Sequence, residues 1–315
     1  MRLTSGNPAR QRGVALITAI LITALVSSVA LSLAWDNALD MRRTMTLLYR
    51  DQAVHVAMGA ESWVQSILRD DLSETDTDHL GEIWASDLPG LPVQSDAVRG
   101  ELFGSIEDLQ GRFNVNNLID QNGEIDELAL EQFQRLLQVL EIDPRFAGVA
   151  ADWIDANLEA GFPDGAEDAI YTGFIPAYRT ANVPLSNVSE LAALEGMDKE
   201  TFDTLRLHIV ALPGHTGINV NTATAAVLQS LDENLSASDV EGLVSEREDG
   251  GFADVQNTFS TIVTPEILPS IEDTSSYFQL KVVVQIATVR ITYFSTLQRG
   301  PRGDVVPILR SLGTM

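Results

Sequence analysis

The longest apolar stretch, residues 14–35, has no charged side chain over its 22 positions and follows a leader with Arg2, Arg10 and Arg12 and no acidic group. As a helix rising about 1.5 Å per residue it spans roughly 33 Å, enough for the ~30 Å hydrocarbon core of a bilayer. Arginines before the span predict a cytoplasmic leader, with everything after Trp35 on the far side. Beyond it, Met41, Met45, Leu48, Ala53, Val56, Ala60, Val64 and Ile67 recur mostly at three- and four-residue steps with no intervening Pro. This spacing predicts one helix from residue 14 to about residue 68, roughly 80 Å long, greasy all round at first and amphipathic later. The amphipathic half needs a sheet to lie on.

Residues 70–96, rich in Asp, Ser, Thr, Gly and Pro, predict a loop with a turn near Ile83 and Trp84. Strand patterns follow at 101–109 and 112–115 and return far downstream at 277–286, 288–298 and 305–309, as one sheet split in sequence. Between them the patterns are helical, at 126–140, 146–158, 189–194, 199–209, 223–231 and 238–247. A helical insert of about 150 residues interrupting a small sheet is the simplest account, because the strands at both ends need partners.

With 20 Lys and Arg against 45 Asp and Glu, the 315-residue chain carries a formal charge of -25, which repels phosphate backbones and acidic membrane faces. The absence of cysteine excludes disulfides, thiolate zinc sites, iron–sulfur clusters and thiol nucleophiles. The four histidines, His55, His79, His208 and His215, have no His-Glu-x-x-His spacing. Neither a Gly-x-Ser-x-Gly elbow nor a phosphate loop is present. Carboxylate pairs are everywhere in so acidic a chain and nothing selects one as a glycosidase pair, so no enzyme is expected.

Two readings compete for the apolar stretch. A secretory signal would be cut after it, near Ala30, Ser32 and Ala34. The alternative cut precedes it, where RQRGVALITAILITALVSSVAL (residues 10–31) joins a basic leader ending in Gly13 to the apolar run. This pattern resembles the class III leader of type IV pilins and type II secretion pseudopilins. The resemblance implies that a prepilin peptidase cuts between Gly13 and Val14 and that Val14 is N-methylated. Most members carry Glu at the fifth mature position, which here is Thr18. A membrane-buried acid is costly, and pilins tolerate it by pairing it with the preceding subunit's amino terminus. A subunit with no predecessor needs none, although drift in an ordinary anchor would also give Thr18.

Leader, anchor helix, inserted helical domain and terminal strands together resemble the minor pseudopilin K family of the type II secretion system. The resemblance implies an α+β fold: a pilin-like long N-terminal helix on a small antiparallel sheet, with an inserted α-domain of SAM-like, helix-hairpin-helix-like subdomains. Its parts would be the leader 1–13, the transmembrane helix 14–35, and a helix-and-strand core 36–117. The α-domain would occupy 118–272, as 118–216 with the acidic loop and 217–272, and the closing strands 273–315. It further implies a place at the tip of a periplasmic pseudopilus in a Gram-negative bacterium, reached from the inner membrane, with minor pseudopilins I and J as partners.

Asn114-Val115-Asn116 returns as Asn219-Val220-Asn221, each before a helical stretch where Asn can cap free amides. The region 218–255 is similar to helix-hairpin-helix modules of competence DNA receptors, which suggests a membrane-tethered DNA-binding protein as the rival function. Such hairpins hold phosphate on backbone amides of a glycine-containing turn. Here the turn LDENLSASD has no glycine and carries Asp232, Glu233 and Asp239, so no nucleic-acid partner is expected.

Finally, ADWIDANLEAGFPDGAEDAIYTG (residues 151–173) gathers Asp152, Asp155, Glu159, Asp164, Glu167 and Asp168. These are hard oxygen ligands suited to calcium, without EF-hand spacing; a solvated acidic loop is the plainer alternative. The pseudopilin K resemblance implies calcium binding here. Matching its Trp-x-Asp and Pro-x-Gly-Ala-Glu-Asp pattern selects Asp155, Asn157, Glu167 and Asp168, with Asn157 standing where related sequences often have Asp.

Overall fold

The computed structural model describes residues 12–95, 98–161, 163–247, 250–252 and 254–314; the first eleven residues of the leader lie outside these. Helix α1 (Arg12–Glu74) is 63 residues long, about 95 Å at 1.5 Å per residue. Among the described residues it is the one helix long and apolar enough to cross a membrane, with a mean hydropathy of 2.5 over its most apolar window. It outruns the expected end near residue 68, where Arg299 donates to the Leu68 carbonyl and to Asp71, and Ser73 Oγ donates to the Asp70 carbonyl in the last turn.

The expected amphipathic stripe divides in two. Ala53, Ala57, Ala60, Val64 and Leu68 are buried, whereas Met41, Met45 and Leu48 remain about half exposed at 56%, 48% and 55%. Alanines at the contact let α1 lie close on a five-stranded antiparallel sheet of order β1-β2-β7-β8-β9. These strands are β1 (Leu88–Ser95), β2 (Val98–Asp108), β7 (Tyr277–Ile286), β8 (Val289–Arg299) and β9 (Val305–Leu312). The sheet is indeed split in sequence, since Leu102 of β2 faces Val284 of β7. Phe278, Leu280, Val282, Val284 and Ile286 alternate inward beneath α1, as a one-faced strand requires.

Strand β1 falls within the stretch expected to be a loop. Its Pro89, Gly90 and Pro92 would spoil a central strand, but at the sheet edge, with irregular register between Leu88 and Leu91, the missing amides cost little. The expected strand at 112–115 is also displaced from this sheet. It is the two-residue β3 (Phe113–Asn114), paired in parallel with β4 (Ile209–Val210) inside the insert.

The insert has its own apolar core, separate from the one beneath α1. A first half runs from β3 through α2 (Glu127–Val139), α3 (Phe146–Ile154), α4 (Asp168–Tyr171) and α5 (Lys199–Leu205) to β4. A second half runs from β5 (Ile218–Asn219) through α6 (Ala225–Ser230), α7 (Ala237–Arg247) and α8 (Val255–Phe259) to β6 (Ile271–Glu272), which pairs with β5 in parallel. Each half therefore opens on an Asn-Val-Asn and closes on a short parallel bridge. Helix α3 stops at Ile154 rather than 158, since Asp155 turns extended, and α5 stops at Leu205 because Ile209 and Val210 join β3. The 189–194 pattern forms a 3-10 turn (Val188–Ala193).

Candidate functional site

Extended backbone at Asp155 brings the acidic loop back under α3. Asp152, Asp155 and Glu167 are 1%, 1% and 3% exposed, although nothing in their residue type favours burial. Gly161 and Gly165 make the fold-back possible. The Gly161 N–H donates to Asp152 Oδ2 at 2.9 Å, and a Cβ on Gly165 would collide with that carboxylate and with the Gly161 backbone. Trp153 and Tyr171, edge to face at 5.1 Å, wall the loop on its inner side.

Donors do not match these acids. Asp152 Oδ1, Asp155 Oδ1 and Glu167 Oε1 are buried without a hydrogen-bond partner among the described residues, as are Trp153 Nε1 and Asn182 Oδ1. Five of the nine such side-chain atoms among the described residues thus lie between residues 152 and 182, where buried polar groups ought to be satisfied. Burial, and then the neighbouring carboxylates Asp152 and Glu167, push the Asp155 carboxyl up to about 6. Asp152 is raised as well, by burial first and by Glu167. No ion pair among the described residues reaches Asp152, Asp155 or Glu167.

Of the four residues singled out from sequence, Asp155 and Glu167 thus present open oxygens. Asn157 instead donates from Nδ2 to Asp155 Oδ2 at 2.6 Å, and its Oδ1 accepts the Glu159 N–H at 2.7 Å. Asp168 is engaged by Arg179 at 3.1 Å and by the Thr180 N–H and hydroxyl at 3.2 Å. Asp152 was in the acidic run but not in the matched pattern; its signal was its place one turn before Asp155 on a helix with an apolar inner face.

In the stem, Thr18 Oγ1 donates to the carbonyls of Val14 and Ala15, both at 3.0 Å. Its one polar group is satisfied within its own helix, so the position asks nothing of a neighbour. Gly13 lies in the first turn of α1 beside Val14. Deeper along α1, Glu61 is 3% exposed and accepts from Tyr293 at 2.6 Å, Ser295 at 2.7 Å and Arg310 at 2.7 and 3.0 Å. Burial raises its carboxyl, but these donors outweigh burial and hold it below the ordinary value. Glu61 pins the helix register on β8 and β9 and stood out in no sequence pattern, because a single acid on a helix face is ordinarily solvated.

The Asn-Val-Asn pairs are stitches as well as caps. Asn116 donates to the Leu185 and Leu212 carbonyls and accepts the Leu185 N–H, while Asn219 donates to Asp78, Asp108 and Ser275. In the hairpin, Asp232 accepts the N–H groups of Asn234 and Thr264, and Asp239 accepts that of Ser236. Amides that would grip a phosphate are therefore already occupied by carboxylates, which disfavours the DNA-binding alternative.

A long apolar-ended helix on an antiparallel sheet, interrupted by a helical domain between the second and third strands of that sheet, defines a pseudopilin-type subunit. Two family profiles, each described as type II secretion system (T2SS), protein K, match residues 111–214 and 218–264 respectively. Type II secretion system protein K of Pseudomonas aeruginosa is 34% identical over 96% of this chain and 93% of its own length. That of Klebsiella pneumoniae is 34% identical over 78% of each. A chain of the solved GspK-GspI-GspJ complex from the enterotoxigenic Escherichia coli type 2 secretion system superposes with a TM-score of 0.77 at 24% identity, covering 87% of this chain and 100% of that one. The chain belongs to the type II secretion system protein K family, and its role is that of a minor pseudopilin.

Proposed function

We propose that this minor pseudopilin sits at the tip of a type II secretion pseudopilus and acts by assembly, not catalysis. The observation that carries the reading is Thr18, whose hydroxyl is spent on its own helix where a subunit inserted below another would present an acid. Processing between Gly13 and Val14 leaves the apolar segment as a fibre stem. The half-exposed Met41, Met45 and Leu48 continue the stem's apolar face toward neighbouring helices. The neighbours are minor pseudopilins I and J, a partnership supported by the complex in which the structural relative was solved. Before assembly the subunit is a single-pass protein of the inner membrane with its bulk in the periplasm, where prepilin peptidase meets the leader. The large insert blocks addition above it. Mass spectrometry of the membrane-extracted mature protein tests this: an N-methylated chain starting at Val14 is expected, and one starting beyond Ala30 overturns the reading.

The acidic loop is read as a calcium site. Asp155 and Glu167, with Asp152 beside them, offer hard oxygens that no donor among the described residues satisfies, so the donor set fits calcium. Asn157 and Asp168 would join by exchanging the bonds they now make. Calcium there supplies the positive charge the loop lacks and holds the loop on α3. A rise in melting temperature on replacing chelator by millimolar calcium is expected; no change removes the site.

A further inference from the structure

A second acidic cluster lies where the stem meets the insert. Asp71 is in the last turn of α1, and Asp78 and Glu82 are in the loop that follows; one ligand-capable oxygen from each comes within 4.8 Å of the others. Arg299, at the end of β8, is the guanidinium among them: it donates to Asp71 at 3.1 Å, to Asp78, and to the Leu68 and Ser275 carbonyls at 3.3 and 2.8 Å. Three acids share one arginine in a largely enclosed place, with side-chain exposures of 13% for Asp71, 2% for Asp78 and 7% for Glu82. Two further ionisable side chains adjoin the cluster: His79, whose ring is 3.9 Å from Glu82, and the buried Asp108, which shares Asn219 and Ser275 with Asp78.

An independent sign comes from Asp78. Its Oδ2 takes Arg299 and the Ser275 N–H, yet its Oδ1 is buried with no donor among the described residues. Glu82 differs, since Oε2 accepts from Trp84 Nε1 at 2.6 Å and Oε1 from the Thr75 hydroxyl at 2.8 Å, bonds that orient it without adding positive charge. We propose that Asp71, Asp78 and Glu82 hold a hard divalent cation of the calcium type at this junction. The donors are all oxygen, which selects calcium or magnesium over softer metals, and a divalent ion supplies positive charge to the acids beyond what Arg299 provides. The ion would clasp the stem to the insert, because Asp78 also donates its N–H to the Asp273 carbonyl at 2.8 Å and accepts at its carbonyl from Asn219 at 3.1 Å.

Trp84, 1% exposed and bonded to Glu82, provides the probe, since a terbium ion at this cluster would emit through it. The test uses the full chain in detergent micelles with Asp152→Asn and Asp155→Asn, so that the acidic loop is silent and its fate is read separately. Tryptophan-sensitised terbium emission that calcium displaces, with one calcium retained in equilibrium dialysis, is expected. Adding Asp71→Asn, which keeps the shape beside Arg299, should weaken binding at least tenfold with unchanged far-ultraviolet dichroism, and Asp78→Asn should abolish it. No emission and no retained calcium in the silenced background, or an affinity indifferent to Asp71→Asn, overturns the proposal.

Discussion

Glu61 and the acidic loop are two solutions to the same difficulty, a carboxylate removed from water. Around Glu61 the fold brings its own cation and two hydroxyls, and the acid ends below its ordinary pKa. Around Asp155 it brings more acids and an amide, and the carboxyl rises to about 6. Burying a charge is costly unless it is paired, so the first acid keeps its charge on its own donors, whereas in the second burial and neighbouring acids favour the neutral carboxyl. The stem junction lies between these extremes, with one arginine for three acids.

The contrast breaks most visibly at Arg310. Replacing it by Met leaves Glu61 buried with only Tyr293 and Ser295 as donors, a loss of about 3–5 kcal/mol for an uncompensated buried charge. Denaturant unfolding of the full chain in micelles measures this. Glu61→Gln should cost clearly less, because Arg310 is half exposed, with 47% side-chain exposure, and regains water. Equal losses in the two variants would show that the bond geometry, not the charge, holds α1 to the sheet.

Gly165→Ala tests the other side. The added Cβ meets the Asp152 carboxylate and the backbone of Gly161, atoms that cannot swing away, so a loss of roughly 1–3 kcal/mol is expected for overpacking. The same variant should lose the calcium-induced rise in melting temperature, because the loop can no longer fold back on Asp152. A variant that melts lower but keeps the full calcium response would separate loop closure from metal binding.

How far these sites were legible before the structure depends on range. The stem, the split sheet and most insert helices follow from periodicity, a local signal, and residues 277–286 display their alternation openly. Edge strand β1 stayed hidden because Pro89 and Pro92 are tolerated only where one side is unpaired, a fact of topology. The acidic run announced hard ligands, but which oxygens remain open depends on Arg179 and Thr180 closing on Asp168 and on Gly161 capping Asp152. Glu61, Asp78 and Arg299 were illegible, since Arg310 lies 249 positions from Glu61 and Arg299 lies 221 positions from Asp78.

Opposite pH slopes sharpen the comparison further. The lowered carboxyl of Glu61 contributes stability above its ordinary pKa near 4.5, lost as pH falls through the folded value. Asp155 is raised from 3.8 to about 6, so without calcium its contribution is full below 3.8 and is lost as pH rises through 6. Asp108 and Asp71, raised to about 6 and about 7 chiefly by burial, act in the same sense. Melting in chelator should therefore decline between pH 4 and 7. Asp152→Asn with Asp155→Asn should flatten part of that decline, and millimolar calcium should do the same in the wild type alone. An unaltered slope in the double variant would mean that Asp152 and Asp155 are not raised in the folded chain.

The smallest expected effect is at Asn157, where the two kinds of site meet in one residue. Its Nδ2 is the single side-chain donor to Asp155 among the described residues, a neutral partner where a cation would pair more strongly. Asn157→Asp removes that donor and adds a fourth charge to a group already short of positive partners. Without calcium the change should lower the melting temperature by a few degrees, about 1 kcal/mol for a buried acceptor left unmet. With calcium the added carboxylate faces a divalent ion, and an affinity gain of about tenfold corresponds to about 1.4 kcal/mol. Calorimetric titration of both forms reads the two effects separately. If the variant binds calcium no better than the wild type, Asn157 serves only as a donor to Asp155, and the ion is held by Asp152, Asp155 and Glu167 without it.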